Sequence, residues 1–387
     1  MLKYLEVLYQ LNKLSIAMTT REKEIESNNF AGLNIPTIPN APLLTSEDVT
    51  HFGILTLQKN ELLDLFVNST YQEELTIYDN TYQNNQSHSL EFKKHLSEVY
   101  AIFKKRFNID STIVDVGCGK GDFVNLLNSE SYFDAIGFDT TYEGDSARIH
   151  KRYLNDTDKI NADVIVLRHV LEYIPSPHTF LELLYKVFGN VNIYIEQPNF
   201  DFTINEQIFT DVTYERVNYF TKKSLKNLFT KSESGNLFKN QYQYVIANLE
   251  NLNHEYNSYF SDRDHWIDIN FYSLFPGLHL KIKEVNVLIE QSNNTFVWGA
   301  STKGCMFLHH YLNLIKSTEK IKFAIDINAS KFEKFLPSSY IPIKSDDFFY
   351  RNVSDNDLVI ISNSNYEIEI TRDIAINSDK NIKIITL

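Results

Sequence analysis

The stretch Ile-Val-Asp-Val-Gly-Cys-Gly-Lys-Gly, residues 113–121, decides the fold of this chain. An apolar strand runs directly into glycines at alternate positions, Gly117, Gly119 and Gly121, and a helical pattern follows. Glycine allows the tight turn and lets backbone N–H groups approach a ligand closely. Nucleotide-type ligands of doubly wound sheets bind at the carboxyl ends of such strands. The pattern therefore predicts a ligand-binding loop, and an ordinary turn shaped by its glycines is the alternative.

The spacing of the glycines distinguishes between kinds of ligand. A dinucleotide fingerprint places its third glycine where this chain has Asp122, and a Walker A loop is absent. The spacing D-x-G-x-G-x-G from Asp115 instead resembles the first motif of class I methyltransferases. That resemblance implies S-adenosylmethionine as cofactor, with Asp115 near its cationic amino-acid end. Asp139 ends the next strand about 20 residues after the loop, where a carboxylate can accept both ribose hydroxyls.

Strand and helix patterns alternate on both sides of this loop, which predicts an α/β fold with parallel sheets. In the centre we expect a helix over residues 90–107, strands over 112–116, 135–138, 163–167 and 191–196, and helices over 122–128 and 179–188. Strands over 295–298, 322–327, 358–361 and 382–386 predict a second, smaller Rossmann-like unit. The proline-rich residues 35–44 predict an extended surface segment.

Polar side chains follow two of the predicted central strands. Arg168, His169, Glu172 and Tyr173 come after one strand, and Glu196 ends the next. In the methyltransferase fold this edge faces the reactive end of the cofactor, so we expect Arg168 to contact the cofactor. His169 has a pKa suited to a general base. A structural histidine is the competing interpretation.

A wider resemblance covers some 300 residues. In order along the chain, short motifs resemble those of the three-part sugar C-methyltransferases: Tyr78-Asp79 with Ser87-His88-Ser89 and His95, Glu196-Gln197-Pro198, Tyr214-Glu215-Arg216-Val217-Asn218-Tyr219-Phe220-Thr221, Trp298-Gly299-Ala300-Ser301-Thr302-Lys303-Gly304, Asp326 with Lys331, Leu336-Pro337 and Ile341-Pro342-Ile343. Members of this family have an N-terminal zinc module, a methyltransferase domain and a C-terminal Rossmann-like domain, and they methylate a carbon of a nucleotide-linked keto-sugar.

The resemblance implies three regions and a set of site residues. The regions are residues 1–90, related to the zinc module, 91–263, which bind the cofactor, and 264–387, the Rossmann-like domain. The implied catalytic residues are His169, Glu215, Arg216, Tyr173 and Glu196. The implied cofactor residues are Asp115, Gly117, Gly119, Gly121, Asp139 and Arg168. The implied substrate-binding residues are Tyr78, His88, Tyr214 and Lys303.

The chain departs from the family at its zinc ligands and its histidines. The first 90 residues contain no cysteine, so we expect no metal. Arg216 replaces the catalytic histidine and cannot serve as a base, and Tyr173 replaces a second one. Two hypotheses follow from these replacements. The acceptor atom is an oxygen or a nitrogen, and Arg216 binds an acidic group of the substrate. Arg216 merely neutralising Glu215 is the other interpretation.

Composition limits the remaining function classes. The net charge of −13 disfavours nucleic acid as a binding partner. The sequence contains no run of about 18 apolar residues, so it predicts no membrane span. Residues 1–18 have a helical rhythm without a signal peptide's apolar centre, so we expect a cytoplasmic protein. The expected partner is a small-molecule acceptor such as a nucleotide sugar, and a homodimer is compatible with the sequence. A ligand-binding protein without turnover and an NAD-dependent oxidoreductase are the alternatives.

Overall fold

The computed structural model describes residues 32–76, 78, 81–155, 157–158 and 160–387. The helical rhythm predicted for residues 1–18, and Asp79 of the first family motif, lie outside these residues.

Eighteen strands and eleven α-helices are described, and both are numbered here in chain order. The strands are β1 (Leu33–Pro36), β2 (Phe52–Leu55), β3 (Leu57–Asn60), β4 (Leu65–Asn68), β5 (Thr112–Val116), β6 (Asp134–Phe138), β7 (Ile149–His150), β8 (Val164–Arg168), β9 (Asn192–Pro198), β10 (Asn218–Phe220), β11 (Ser232–Leu237), β12 (Tyr242–Asn248), β13 (Trp266–Ile269), β14 (Thr295–Trp298), β15 (Ile321–Ile325), β16 (Ile343–Lys344), β17 (Leu358–Ile361) and β18 (Lys383–Thr386). The helices are α1 (Leu90–Arg106), α2 (Asp122–Asn128), α3 (Pro177–Phe188), α4 (Phe200–Asn205), α5 (Lys222–Lys226), α6 (Tyr256–Ser261), α7 (Phe271–Leu274), α8 (Leu278–Gln291), α9 (Thr302–Ile315), α10 (Asp346–Asn352) and α11 (Glu367–Asn377).

The central sheet has seven strands in the order β11-β12-β9-β8-β5-β6-β7. Strands β5 to β9 run parallel, and β12 pairs antiparallel with both β9 and β11. The carboxyl ends of β5, β6, β8 and β9 therefore meet at one edge, as expected for a doubly wound sheet. The antiparallel pair β11 and β12 was not predicted from the sequence.

A second sheet, in the order β16-β15-β14-β17-β18, is parallel throughout. Strand order reverses at β14, so this sheet is a second Rossmann-like unit. The predicted α/β fold class, with a central Rossmann-like sheet and a smaller C-terminal one, is confirmed.

Helix α1 shows how the sequence places a functional face. Phe92, Leu96, Val99 and Phe103 recur at helical spacing and are buried against the central sheet. Burying each such side chain contributes about 1.5–3 kcal/mol. His95 lies on the same buried face, so a polar ring is carried into the interior among apolar neighbours.

A four-stranded antiparallel sheet, in the order β10-β4-β3-β13, joins strands that are far apart in sequence. Strand β4 pairs with β10, and β3 pairs with β13. This sheet combines segments from the predicted N-terminal, central and C-terminal regions, whose boundaries at residues 90 and 263 stay predictions.

The prediction of a surface segment at residues 35–44 is wrong in part. Ile35 belongs to β1 and is only 1 % exposed, because it packs into the apolar cluster that also includes side chains of α9. The buried Asn40 donates to Thr302, and the Leu43 N–H donates to the Phe335 carbonyl. The segment is extended only to Pro36 and then turns at residues 39–40, and its contacts bury it against the C-terminal unit.

Within the described part of the chain, no helix has the length and apolar character needed to cross a membrane.

Candidate active site

The glycine loop follows β5 at the carboxyl edge of the central sheet. Gly117 and Gly119 have positive φ angles of 78° and 57°, a region that favours glycine. A Cβ at Gly117 would clash with Val170, whereas a Cβ at Gly119 would meet nothing within 4 Å. Gly117 is therefore required by packing against the protein, and Gly119 presents an open backbone face to the pocket.

Asp139 holds this loop in place. Its Oδ2 accepts a hydrogen bond of 2.8 Å from the Gly119 N–H, and its Oδ1 accepts from both the N–H and the hydroxyl of Thr141 at 2.7 Å. Each carboxylate oxygen has two lone pairs, so acceptor capacity remains for a ligand hydroxyl. The side chain is partly exposed and lines the pocket.

Asp115 is a buried carboxylate, 2 % exposed, whose Oδ1 has no hydrogen-bond partner in the structure. Burial raises the pKa of Asp115 to about 7, although Arg168 partly offsets the rise. An unpaired buried carboxylate is costly. A cationic ligand group beside it would remove that cost and stabilise the charged form.

These groups surround a cavity of about 190 Å³. Its lining includes Asp115, Gly117, Gly119, Asp139, Arg168 and His169 from the central sheet, together with Tyr82, Asn84, Asn85, Gln86, Phe92 and Leu96. An orphaned carboxylate for an ammonium group, an acceptor for ribose hydroxyls and apolar walls fit S-adenosylmethionine. The structure thus brings together five of the six predicted cofactor residues.

Glu196 is the centre of a buried polar network next to this cavity. Its carboxylate is completely buried and lies 2.9 Å from His95 Nε2, 3.1 Å from Arg168 Nη2 and 2.7 Å from the Tyr194 hydroxyl. Burial would raise the pKa of Glu196, but Arg168 and His95 hold it well below its usual range. Glu196 is therefore ionised at neutral pH, and its geometry is that of an anchor for Arg168.

His169 stands between two carboxylates. Its Nε2 lies 3.3 Å from Glu196 and its Nδ1 lies 3.7 Å from Glu172, and its backbone φ of 55° is unusual for a residue with a side chain. Burial would lower the pKa of His169, but Glu172 and Glu196 raise it. A histidine with a raised pKa is a poorer proton acceptor at neutral pH, which weighs against the predicted base.

Glu215 is a second buried carboxylate in this region and is 1 % exposed. Its Oε2 accepts a hydrogen bond of 3.2 Å from the Tyr78 hydroxyl. Burial raises the pKa of Glu215 to about 7, and the positive charge of Arg216 and the Tyr78 hydroxyl only partly counteract it. A carboxylate with that pKa can accept a proton and release it again near neutral pH.

Aromatic rings connect Glu215 with the cofactor cavity. The Tyr78 ring packs edge-on against the rings of Tyr82 and Tyr173, with ring centroids 4.9 Å and 6.3 Å apart. Tyr82 in turn lines the cavity. Burial raises the pKa values of Tyr78 and Tyr82 well above the usual range, so both phenols stay protonated and can donate hydrogen bonds.

Arg216 follows Glu215 in the chain and is anchored by the protein. Its Nη1 donates a hydrogen bond of 2.7 Å to the Asp211 carbonyl, and the Asp211 carboxylate lies 3.9 Å away. Burial would lower the pKa of Arg216, but Tyr173 and Asp211 raise it. The guanidinium is a permanent positive charge beside Glu215 and Tyr173.

Four further predicted site residues do not line the cofactor cavity. Gly121 precedes α2, where a Cβ would clash with Ile149. The Tyr214 hydroxyl bonds to the backbone of Gln72 and Thr70. Lys303 pairs with Asp211 at 3.1 Å. His88 lines a separate cavity, at the carboxyl edge of the C-terminal sheet.

The site also contains residues to which the sequence assigned no catalytic or binding role. His95 and Glu172 belong to the buried network, and Tyr82, Asn84 and Gln86 form a wall of the cavity. His95 carries a sequence signal, because it is a polar residue on the apolar face of α1. The wall residues carry none, since a polar loop segment does not reveal which surface it covers.

Comparison with known families assigns most of this architecture. Residues 90–233 match the family model described as a methyltransferase domain, and residues 279–387 match that of a C-methyltransferase C-terminal domain. No curated protein matches the chain in sequence.

Solved structures with a similar fold share little sequence with it. The plantazolicin methyltransferase BpumL in complex with SAH is 16 % identical, with a TM-score of 0.32 over 41 % of this chain and 85 % of that one. A SAM-dependent methyltransferase from Archaeoglobus fulgidus is 18 % identical, with a TM-score of 0.32 over 42 % of this chain and 100 % of that one. Magnesium protoporphyrin IX methyltransferase from Synechocystis PCC 6803 is 13 % identical, with a TM-score of 0.32 over 43 % of this chain and 87 % of that one.

The two family models, together with the loop and its pocket, identify the chain as a class I S-adenosylmethionine-dependent methyltransferase.

Proposed function

We propose that this enzyme methylates an acidic carbon next to a carbonyl group in a small molecule, a nucleotide-linked keto-sugar, with Glu215 as the base. The observation that carries the proposal is the buried Glu215 carboxylate, with a pKa of about 7 and a hydrogen bond to Tyr78. The matched C-methyltransferase C-terminal domain supports carbon as the acceptor atom. The motif resemblance to sugar C-methyltransferases supports the substrate class.

Carbon methylation needs a base because a carbon acquires a lone pair only after it loses a proton. Arg216 replaces the histidine expected at this position and stays protonated. The adjacent Glu215 has the required pKa, since burial disfavours its charged form. In this proposal Glu215 takes the proton from the acceptor carbon, and the electron pair of the C–H bond enters the enolate.

The enolate requires stabilisation next to the base. Arg216 supplies a fixed positive charge, anchored on the Asp211 carbonyl at 2.7 Å. Tyr82 supplies a protonated phenol, whereas the single O–H of Tyr78 is already donated to Glu215. Such preorganised groups stabilise charge that develops during the reaction. When bound, S-adenosylmethionine supplies the electrophilic methyl group.

His169 has a different task in this proposal. The carboxylates of Glu172 and Glu196 raise its pKa, which favours the imidazolium form. The ring therefore orients groups at the end of β8 and does not remove the acceptor proton. The other polar groups there, Arg168 and Glu196, neutralise each other.

The experiment separates proton removal from methyl transfer. The enzyme is incubated in D₂O with a panel of nucleotide-linked keto-sugars and the spent cofactor S-adenosylhomocysteine, and exchange at the carbon next to the carbonyl is followed by NMR. Methylated products are then identified by mass spectrometry with S-adenosylmethionine present. We expect wild-type enzyme to catalyse exchange and to place the methyl group on that carbon.

The decisive variant is Glu215→Gln, with Glu206→Gln at an exposed position as the matched control. Exchange lost in the first and kept in the second supports the assignment of the base. Exchange that persists in Glu215→Gln would show that a group other than Glu215 removes the proton. A product methylated on oxygen or nitrogen would contradict the proposal of a carbon acceptor and support the hypothesis of an oxygen or nitrogen acceptor.

A further inference from the structure

Residues 81–89, called the strap here, form one wall of the cofactor cavity. Tyr82, Asn84, Asn85 and Gln86 line the same cavity as the glycine loop and Asp139. A cofactor bound in this cavity would therefore contact both the loop and the strap. Its affinity depends on both surfaces being in place.

Several polar contacts tie the first half of the strap to the rest of the protein. Gln83 Nε2 donates to Glu143 at 3.4 Å, and Glu143 in turn pairs with Lys120 of the loop at 2.8 Å. The Gln83 N–H donates to the Asn40 carbonyl at 3.0 Å, and Asn40 Nδ2 donates to Asn84 at 3.2 Å.

The C-terminal unit contacts the far end of the strap and the start of α1 through four hydrogen bonds. The Tyr366 hydroxyl donates a hydrogen bond of 2.6 Å to Gln86. Glu369 accepts three hydrogen bonds, from the Ser89 hydroxyl at 2.6 Å and from the N–H groups of Leu90 and Glu91 at 2.9 and 3.1 Å.

Glu369 thereby also caps helix α1. The first N–H groups of a helix have no partner within the helix, and a negative charge there is favourable. Helix α1 carries Phe92 and Leu96 to the cofactor cavity and His95 to Glu196. One carboxylate of the C-terminal unit thus fixes both the strap and the helix that follows it.

We infer that Glu369 and Tyr366 are positioning residues for the cofactor, and that the C-terminal unit sets the affinity for S-adenosylmethionine by holding the strap over the pocket. Neither side chain lines the cofactor cavity, so both act through residues 86–91. This inference does not depend on Glu215 or on the acceptor.

The test compares Glu369→Gln with Glu367→Gln, an exposed position on the same helix. Gln at 369 keeps the shape but places an NH₂ donor against main-chain N–H donors. Calorimetric titration with S-adenosylmethionine and with S-adenosylhomocysteine measures affinity, and amide hydrogen exchange of peptides covering the strap measures its order. Turnover at saturating cofactor shows whether the substitution also affects the methyl-transfer reaction itself.

We expect about tenfold weaker binding of both ligands in Glu369→Gln, in line with the loss of a helix cap. Exchange should become faster in the strap and the first turn of α1 only. Turnover at saturating cofactor should stay within about twofold of wild type. The control should match wild type in all three measurements.

Faster exchange in the strap with unchanged affinity would overturn the inference, because the strap would then be a passive wall. If Glu369→Gln does not fold, Tyr366→Phe decides, since it removes only the hydroxyl that bonds to Gln86. A folded Tyr366→Phe variant with wild-type affinity for both ligands would also overturn it.

Discussion

Nε2 of His95 lies 2.9 Å from the carboxylate of Glu196, and both side chains are buried. The contact joins helix α1 to strand β9 across 101 residues of sequence. Through Glu196 it also reaches Arg168, whose guanidinium lies over the Phe123 ring at 4.8 Å. The network thus fixes the polar end of β8, where the cofactor cavity and the proposed acceptor site meet.

Removing the charge of Glu196 should destabilise the protein strongly. Glu196→Gln leaves Arg168 buried without its carboxylate, and breaking a buried pair costs about 3–5 kcal/mol. Urea unfolding measures the free energy. Glu233→Gln, which breaks an exposed pair with Arg106, is the control and should lose less than about 1 kcal/mol. Equal losses in the two variants would show that the network contributes little to stability.

Glu215 should determine how turnover depends on pH. Its pKa is raised to about 7, and a base must be deprotonated, so turnover should fall as pH falls through about 7. Saturating cofactor is required, because Asp115 has a similar pKa and its protonation would weaken cofactor binding. Initial rates between about pH 5 and about pH 9 test this. The assignment would be contradicted if turnover fell only near the pKa of an exposed glutamate. It would also be contradicted if the fall of turnover at low pH were unchanged in Glu215→Gln.

Arg216 should influence Glu215 through its charge. The guanidinium lowers the pKa of Glu215, so Arg216→Ala should raise that pKa further and move the acidic limb of turnover to higher pH. The same variant tests the hypothesis of an acidic substrate group, which requires a higher acceptor KM. An unchanged acceptor KM would reject that hypothesis and leave enolate stabilisation and the effect on the pKa of Glu215 as the roles of Arg216.

Gly119 should tolerate alanine in the fold but not in cofactor binding. A Cβ there meets no protein atom within 4 Å, so the cost in stability is the positive φ, about 1–2 kcal/mol. Gly189 has a φ of 73° and equally open space, away from the pocket, but its ψ of −146° lies in a region almost confined to glycine, so Gly189→Ala should lose at least as much stability as Gly119→Ala. We expect weakened S-adenosylmethionine binding only in Gly119→Ala. Equal affinity in both would place the cofactor away from this face.

The parts of the fold that the sequence predicted depend on local patterns. The glycine loop, the parallel strands around it and Asp139 at the end of β6 follow from periodicity and spacing. Each lies where the chain order of a doubly wound sheet requires it. The second Rossmann-like sheet was predicted for the same reason.

The remaining features depend on contacts between distant segments. The hydrogen bond between Tyr78 and Glu215 spans 137 residues, and that between Ser89 and Glu369 spans 280. Burial, which raises the pKa of Glu215 and brings Ile35 into a core, results from the whole fold. No local pattern carries that information, so the strap and the four-stranded sheet were not predicted.

Calorimetric titration of Asp139→Ala with S-adenosylmethionine tests the placement of the cofactor most directly. Asp134→Ala, at the exposed start of the same strand, is its control. The loss of the Gly119 hydrogen bond and of a ribose acceptor predicts binding at least about tenfold weaker in Asp139→Ala and unchanged in Asp134→Ala. Wild-type affinity in Asp139→Ala would contradict the placement of the cofactor on the loop of residues 117–121.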